Sequence, residues 1–147
     1  MSDDARSRAA DHLRRHHVMT LATAGPRGPW AAAVFYVADG FRLHFVSSPS
    51  SRHATDLAAD PRAAATVQGQ ETDWRRIRGV QLEGLVAEVP AHDRPRVRAL
   101  YAARFPAVAA APELAAALAE VRWYVLTPAA LHLVDNAAGL GRRTRVL

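Results

Sequence analysis

The stretch FVSSPSSRHATDLAADPRAAATVQG, residues 45–69, decides how this chain folds and where it could hold a ligand. A strand predicted over Phe41–Ser47 runs into four serines within residues 47–51. A short helix is then predicted over Arg52–Ala59, and Asp60-Pro61 ends it because the residue before proline disfavours the helical conformation. The pattern therefore predicts a strand, a serine-rich corner and a helix that begins at that corner.

The corner gathers groups that favour an anion. Serine hydroxyls, the Arg52 guanidinium and the free amides of a helix N-terminus meet at one point, and both the amides and the helix dipole attract negative charge. Arg52 could add a forked, charged contact to the same oxygens. Such a point suits a phosphate group. The alternative interpretation is that Ser50 or Ser51 simply caps the helix.

Composition indicates one packed globular domain over residues 1–147, with half of the residues apolar and 22% charged. No apolar run approaches the roughly 20 residues of a membrane span, and the N-terminus lacks the apolar core of a signal peptide. The chain has no cysteine, which excludes disulfides, a thiol nucleophile and thiolate metal sites. We expect residence in the cytoplasm and no membrane partner.

The formal net charge is +5, and all 19 basic residues are arginine. Arginine suits forked contacts with phosphate and carboxylate, although an absence of lysine beside abundant alanine is also typical of codon bias in a GC-rich genome. Arg75, Arg76 and the 142–145 segment could form a nucleic-acid surface. A solvated strand edge and an ordinary terminus are the alternatives, and nucleic acid is not the expected partner.

The order of elements predicts an α+β, mainly β protein, a split antiparallel β-barrel with flanking helices. Short strands joined by hairpin signals such as Asp39-Gly40, with helices at the margins, are typical of antiparallel barrels. We predict helices over 2–17, 52–59, 91–105 and 112–120, and strands over 18–24, 29–38, 41–47, 63–68 and 75–89. A last strand pair is predicted over 122–126 and 130–134, around Thr127-Pro128, followed by a polar tail.

Several phrases in this order resemble the FMN-binding split-barrel superfamily, whose named member is pyridoxamine 5′-phosphate oxidase. They are TLATAG with GPWAAAVFYV, SSRH with DPRAAATVQGQ, IRGVQLEG and DNAAGLGRR, and they span roughly residues 18–143. Within the superfamily the chain is most similar to a small uncharacterised bacterial group. The ordered combination is fairly specific for fold and much less so for reaction, because one fold hosts many functions.

The resemblance implies a homodimer with two FMN sites at the subunit interface. The flavin would lie along the second strand, and its phosphate would be held at the serine-rich corner. Donors near the polar edge of the ring would come from Arg78 or Gln81. The full set implied for the cofactor is Ala31, Ala32, Ala33, Val34, Phe35, Tyr36, Val46, Ser47, Ser51, Arg52, His53, Arg78 and Gln81.

Three departures from the oxidase pattern limit the functional conclusions that the resemblance supports. His53 replaces a phosphate-binding lysine, so one permanent charge becomes dependent on pH near neutrality. Gly79 replaces a glutamine that contacts the flavin, although Gln81 or Gln70 could substitute. The oxidase's C-terminal substrate-phosphate residues have no counterpart in NAAGLGRRTRVL, so oxidation of vitamin B6 is not expected.

Several other candidate residues also have purely structural explanations. Trp30, Phe35 and Tyr36 could stack near a ring or could be plain core. His12 and His16 are one helical turn apart, but no third ligand or zinc-protease glutamate accompanies them, so we predict no metal site.

The sequence therefore predicts an FMN-binding protein, with a lean towards a flavin-dependent oxidoreductase acting on a small organic molecule. No catalytic residue is assigned, because the cofactor itself carries redox chemistry. The first alternative is a non-catalytic binder of flavin, deazaflavin F420 or haem on the same fold. The second alternative is a basic nucleic-acid binder.

Overall fold

The structure is a computed structural model that describes residues 2–147, with side chains from residue 3 onward. Its α-helices are α1 (Ser2–Arg15), α2 (Arg52–Ala59), α3 (Arg94–Arg104), α4 (Pro106–Ala110) and α5 (Pro112–Glu120). Its strands are β1 (Val18–Gly25), β2 (Gly28–Phe35), β3 (Val37–Asp39), β4 (Arg42–Ser47), β5 (Arg62–Gln68), β6 (Arg78–Glu88), β7 (Arg122–Asp135) and β8 (Arg143–Arg145). Short 3₁₀ helices cover Trp74–Arg76 and Asn136–Ala138.

All strands belong to one antiparallel sheet in the order β2-β1-β5-β6-β7-β4-β3, and β8 pairs with β7. The sheet curls so that β2 and β4 approach each other without pairing, which leaves the barrel split between them. The five helices flank it. The predicted α+β fold class, a split antiparallel barrel with flanking helices, is confirmed.

The main core fills the concave side of the sheet. Alternate strand residues point into it, among them Leu21, Phe45 and Val80, and α1 covers them with Ala9 and Leu13. Each of these side chains is almost completely buried, so α1 is fixed by packing of its apolar face. A second, smaller core lies on the outer side of β4 and β7, where α3 packs with Val97 and Tyr101 against Trp123.

The predicted second strand is in fact two strands, because the chain turns inward at Tyr36. Its ring is completely buried, and its hydroxyl donates to the Leu13 carbonyl at 2.8 Å. Its backbone N–H donates to the His17 carbonyl at 3.0 Å. Burial raises the pKa of this phenol well above its ordinary value. Tyr36 therefore ends β2 and ties it to the C-terminal end of α1.

The predicted last strand pair is wrong: β7 is one continuous strand of 14 residues. The register with β6 shifts between Glu83 and Gly84, and Pro128 lies opposite Gly84 at that irregularity. A side chain at Gly84 would place its Cβ 2.0 Å from the Thr127 carbonyl oxygen. Glycine is thus required by a close backbone approach at a bulge.

The opposite, convex face of the sheet carries no helix over β1, β2, β5 and β6. Its outward residues are mostly small and are exposed: Thr20, Ala22, Ala24, Ala31, Ala33, Ala64, Gln81, Glu83 and Leu85. We call these residues the open face. Among residues 2–147, no helix is both long enough and apolar enough to cross a membrane.

Candidate functional site

The corner between β4 and α2 is built by a tight turn and a serine cap. Ser51 N–H donates to the Ser48 carbonyl at 3.1 Å across a turn that has Pro49 in its second position, where proline's fixed φ fits. The Ser51 hydroxyl then accepts from Ala54 N–H at 3.3 Å, as a helix N-cap does. The alternative reading of Ser51 as a cap is therefore correct. The same turn and cap fix the position of the Ser51 hydroxyl at this corner.

Three side chains of the corner form one hydrogen-bonded cluster. Ser47 Oγ lies 3.0 Å from Ser51 Oγ and 2.5 Å from His53 Nε2, which is 3.3 Å from Ser51 Oγ. Ser47 is buried, and His53 is partly so. Burial lowers the pKa of His53 below its usual 6.5, although the Asp56 carboxylate opposes the shift. His53 is thus neutral near pH 7 in the ligand-free protein, unlike a lysine.

Arg52 is held beside this cluster by a tryptophan and a buried carboxylate. Its guanidinium carbon lies 4.2 Å from the centre of the Trp30 ring, a distance typical of a cation–π contact. Its Nε lies 3.9 Å from Asp56 Oδ2, and one Nη donates to the Arg27 carbonyl at 3.4 Å. The Nε is buried and has no hydrogen-bond partner within residues 2–147. The guanidinium is therefore oriented but has spare donor capacity.

Asp56 connects α2 to the β1–β2 hairpin. Its carboxylate is almost fully buried and accepts from Thr23 Oγ1 at 3.1 Å. A Cβ on Gly25 would lie 2.0 Å from Asp56 Oδ1, so the hairpin can approach the carboxylate only because residue 25 is glycine. Neither Asp56 nor Thr23 was predicted from the sequence to belong to this corner. The spacing of four residues between Arg52 and Asp56 on a helix was the available signal.

The predicted flavin strand is the edge strand β2, with side chains that alternate between the two faces. Ala31, Ala33 and Phe35 are exposed, whereas Ala32 and Val34 are partly buried on the other side. The Phe35 ring lies 5.1 Å from the Phe105 ring at the end of α3. Tyr36 points into the core, so only its backbone could approach a ligand along this edge.

The other predicted residues lie away from the corner within one chain. Val46 faces the second core and pairs across strands with Trp123. Arg78 and Gln81 are on β6, which is separated from β2 by β1 and β5, roughly 14 Å at normal strand spacing. Arg78 Nε lies 3.4 Å from Asp135 Oδ1, and Gln81 belongs to the open face. One subunit therefore brings together Ser47, Ser51, Arg52 and His53, but not Arg78 or Gln81.

The remaining candidates have local structural partners. The His12 and His16 rings stack at 3.9 Å, and each ring bonds a backbone carbonyl. No group of three potential metal ligands gathers in the part of the chain that the structure describes. Arg75 pairs with Asp73 at 3.0 Å and Arg76 with Glu71 at 3.7 Å. These four charges largely neutralise one another.

The predicted polar tail is folded. The Asn136 amide donates to the Trp74 carbonyl at 2.9 Å and accepts from Gly141 N–H at 3.0 Å. Strand β8 then pairs with β7. The C-terminal segment therefore lies along the sheet and not over the serine-rich corner of its own chain.

Comparison with known proteins identifies the fold and the relatives. A family model described as pyridoxamine 5′-phosphate oxidase matches residues 6–135. A UPF0306 protein from Photorhabdus laumondii is 31% identical over 134 residues, which cover 90% of this chain and 88% of the relative.

Solved structures share the fold. A heme binding protein from Mycobacterium smegmatis superposes with a TM-score of 0.76 and 24% identity, covering 96% of this chain and 56% of that chain. An FAD-binding protein from Mesorhizobium loti gives a TM-score of 0.69 and 16% identity, with coverage of 85% and 90%. At these identities the structures establish a common architecture, and their ligands belong to those proteins.

Proposed function

The chain belongs to the pyridoxamine 5′-phosphate oxidase family, and from that premise we propose that it is an FMN-binding flavoprotein, a flavin-dependent oxidoreductase. The observation that carries the proposal is the Arg52 guanidinium, which belongs to the first residue of α2 and is oriented by the Trp30 ring and the Asp56 carboxylate. The Arg52 side chain is 26% exposed, so part of it remains accessible to an anion bound at the corner.

The residues of the corner fit a phosphate monoester. Ser47 and Ser51 supply hydroxyls, and Arg52 supplies a forked cation that the Asp56 carboxylate and the Trp30 ring hold in place. His53 would add a third polar contact. The Asp56 charge is committed to Thr23 and Arg52, so it does not repel the phosphate as a free carboxylate would.

The edge strand β2 fits the ring of the same ligand. Ala31, Ala32 and Ala33 put no large side chain along the strand, which lets a flat ring approach the backbone. When bound, FMN supplies the acceptor and donor of electrons or hydride. The residues of this chain would bind the cofactor, orient its ring and exclude water, with Phe35 and Phe105 as an apolar wall at one end.

We propose that the working unit is a homodimer with the cofactor at the subunit interface. The open face and the β2 edge are exposed in a single chain, and contiguous exposed surfaces rich in small apolar residues are suited to association. A partner subunit would also bring a second copy of Arg78 and Gln81 towards the ring edge, which one subunit cannot do across the sheet.

The substrate class in this proposal is a small organic molecule other than vitamin B6. The C-terminal segment lacks the arginine–histidine run that the oxidase uses for the substrate phosphate, and its Asn136 is engaged with backbone groups of its own chain. Deazaflavin F420 is the alternative ligand of the same strand and corner.

Haem is a second candidate ligand, supported by one structural neighbour that is described as a heme binding protein. The specific feature here is His17, an exposed imidazole whose ring lies 5.9 Å from Phe105 at the same end of β2. A histidine beside aromatic rings is a suitable axial ligand for haem iron. The absorption spectrum separates the two candidates, because haem gives an intense Soret band and flavin does not.

The test of the phosphate anchor is the affinity of Arg52→Ala for FMN. If Arg52 clamps the phosphate, we expect the FMN dissociation constant to rise at least tenfold, about 1.4 kcal/mol, while riboflavin binding stays unchanged. Arg94→Ala is the matched control, because Arg94 is an exposed arginine at the start of α3. An FMN constant that is unchanged in Arg52→Ala would remove the assignment of the corner.

A further inference from the structure

A cavity of about 460 Å³ lies outside the barrel, between α3, α5 and the start of β7. Its walls are mainly apolar, with Tyr101 and Ala102 from α3, Ala115 and Leu118 from α5, and Trp123 from β7. A volume of this size is within the range of pockets that hold small organic ligands, and such pockets are mostly apolar with a few fixed polar groups.

The cavity opens to solvent, and most of its lining side chains are exposed or half-buried, among them Arg98, Ala115 and Leu118. The helices that cover it, α4 and α5, bury none of their residues fully. The second core beneath it, by contrast, is tightly buried at Val97 and Val125. Helices α4 and α5 are thus packed more loosely than the second core beneath them.

Two lining residues carry polar groups that lack partners within residues 2–147. The Trp123 indole N–H is buried and has no acceptor. Arg98 forms no ion pair or hydrogen bond in the same part of the chain, and its guanidinium carbon lies 5.8 Å from the centre of the Trp123 ring. The Arg98 cation and the Trp123 ring therefore lie together at this space.

We propose that this cavity binds a small, flat, apolar carboxylate, such as an aromatic acid. The ring would fill the space beside Tyr101 and Trp123, and the carboxylate would pair with Arg98 at the mouth. A neutral apolar molecule would make no ion pair with Arg98, so the charge of Arg98 selects for an acid.

The cavity is separate from the proposed flavin site. Trp123 pairs across strands with Val46, and both lie in the second core on the outer side of β4 and β7. Ser47, the next residue of β4, points to the opposite side, where it contacts Ser51 and His53. The two sites therefore share a pair of strands but occupy its two faces, and a ligand in one does not overlap the other.

The test is calorimetric titration of the full chain with 2-naphthoate and with 2-naphthamide, its neutral isostere. We expect saturable binding of one naphthoate per chain, at least tenfold tighter than naphthamide. Arg98→Gln should abolish that preference, whereas Arg94→Gln on the same helix should keep it. The naphthoate constant should also be the same with and without saturating FMN, because the sites are separate.

The indole N–H resonances provide an independent readout. The chain has three tryptophans, of which Trp30 and Trp74 are exposed and Trp123 is buried, so their signals can be assigned with single Trp→Phe variants. Naphthoate should shift the Trp123 signal and leave the Trp74 signal in place. Equal affinity of the wild type and Arg98→Gln for naphthoate, competition by FMN, or the absence of saturable binding would each overturn the proposal.

Discussion

The two faces of the same strands differ sharply in this molecule. On β1, Leu21 is completely buried under α1, whereas its neighbour Ala22 is exposed on the open face. The same alternation holds on β6, where Val80 is buried and Gln81 is exposed. An antiparallel sheet with one solvated face usually carries polar residues there, but this open face is rich in alanine. The concave face therefore explains folding, and the alanine-rich convex face is the basis of the proposed homodimer interface.

The largest effect expected from this comparison is on the packed face. Leu21→Ala should lower the free energy of unfolding by about 2–5 kcal/mol, because it removes a fully buried side chain and leaves a cavity under α1. Thr20→Ala, one residue away on the open face, should change it by only about 0.5 kcal/mol or less. Urea unfolding of both variants checks this. Equal losses would show that the two faces do not differ as described.

The second prediction concerns a charge placed on the open face to disrupt the proposed dimer interface. Ala22→Arg should raise the dissociation constant of the proposed homodimer at least 100-fold, roughly 2.7 kcal/mol, because two added charges would meet across the interface. The circular dichroism spectrum should stay native. Sedimentation equilibrium measures the constant, with Ala58→Arg on the exposed side of α2 as the control. A variant that remains fully dimeric would place the interface elsewhere.

The third prediction concerns the corner where β4 passes from the sheet into α2. The pKa of His53 lies below 6.5 in the ligand-free protein, and a bound phosphate should raise it, so binding takes up a proton. FMN affinity should therefore fall as pH rises from about 6.5 to about 8. His53→Lys should remove this dependence and tighten binding about tenfold at the upper pH.

Fluorescence titrations at several pH values, with riboflavin as the ligand that lacks phosphate, measure this dependence. Exposed His92→Lys serves as a control for the added charge. A wild-type FMN constant that does not vary with pH would show that His53 makes no charged contact with the phosphate.

The smallest effect concerns His44, which is buried on the outer side of β4 without a hydrogen-bond partner for either ring nitrogen within residues 2–147. Burial and the positive charge of Arg42 hold its pKa below 6.5, although Asp39 opposes the shift. The unfolded chain therefore binds this proton more readily. Above pH 6.5 the free energy of unfolding is not reduced by His44. It falls as the pH drops from 6.5 towards the lowered pKa of His44 in the folded protein.

The check is the thermal unfolding midpoint measured between about pH 7.5 and about pH 5.5, a range that lies above the titration of carboxylates. His44→Leu should lose less stability over this range than the wild type does. His92→Leu is the control, because His92 is exposed and outside both cores. Identical slopes for the wild type and His44→Leu would rule out His44 as a source of the pH dependence.

Local signals made much of the fold predictable from the sequence. The helix predicted over Arg52–Ala59 has those bounds in the structure, because Ser51 caps its start and Asp60-Pro61 ends it. The β7 strand was predicted as two strands because Thr127-Pro128 is typical of a turn. In the sheet, Pro128 lies at a bulge opposite Gly84, where a missing N–H is tolerated. That pairing joins segments distant in sequence, and no local pattern encodes it.

The same distinction between local signals and contacts of distant segments applies to the site. Ser47, Ser51, Arg52 and His53 lie within seven residues of sequence, so their meeting at one corner was predictable. The contacts that orient Arg52 depend on how α2 packs against the β1–β2 hairpin, which brings Trp30 and Thr23 to the helix. In the proposed homodimer, the further groups that would reach the ring come from the second subunit, and contacts between subunits leave no local pattern in the sequence.

The phosphate anchor is tested most directly by titration of the flavin-free protein with FMN and with riboflavin, followed by flavin fluorescence. We expect saturable binding of one FMN per chain, with riboflavin at least tenfold weaker because it lacks the phosphate that the corner would hold. FMN that does not saturate, or that binds no better than riboflavin, would contradict the central claim that Ser47, Ser51 and Arg52 form a phosphate anchor.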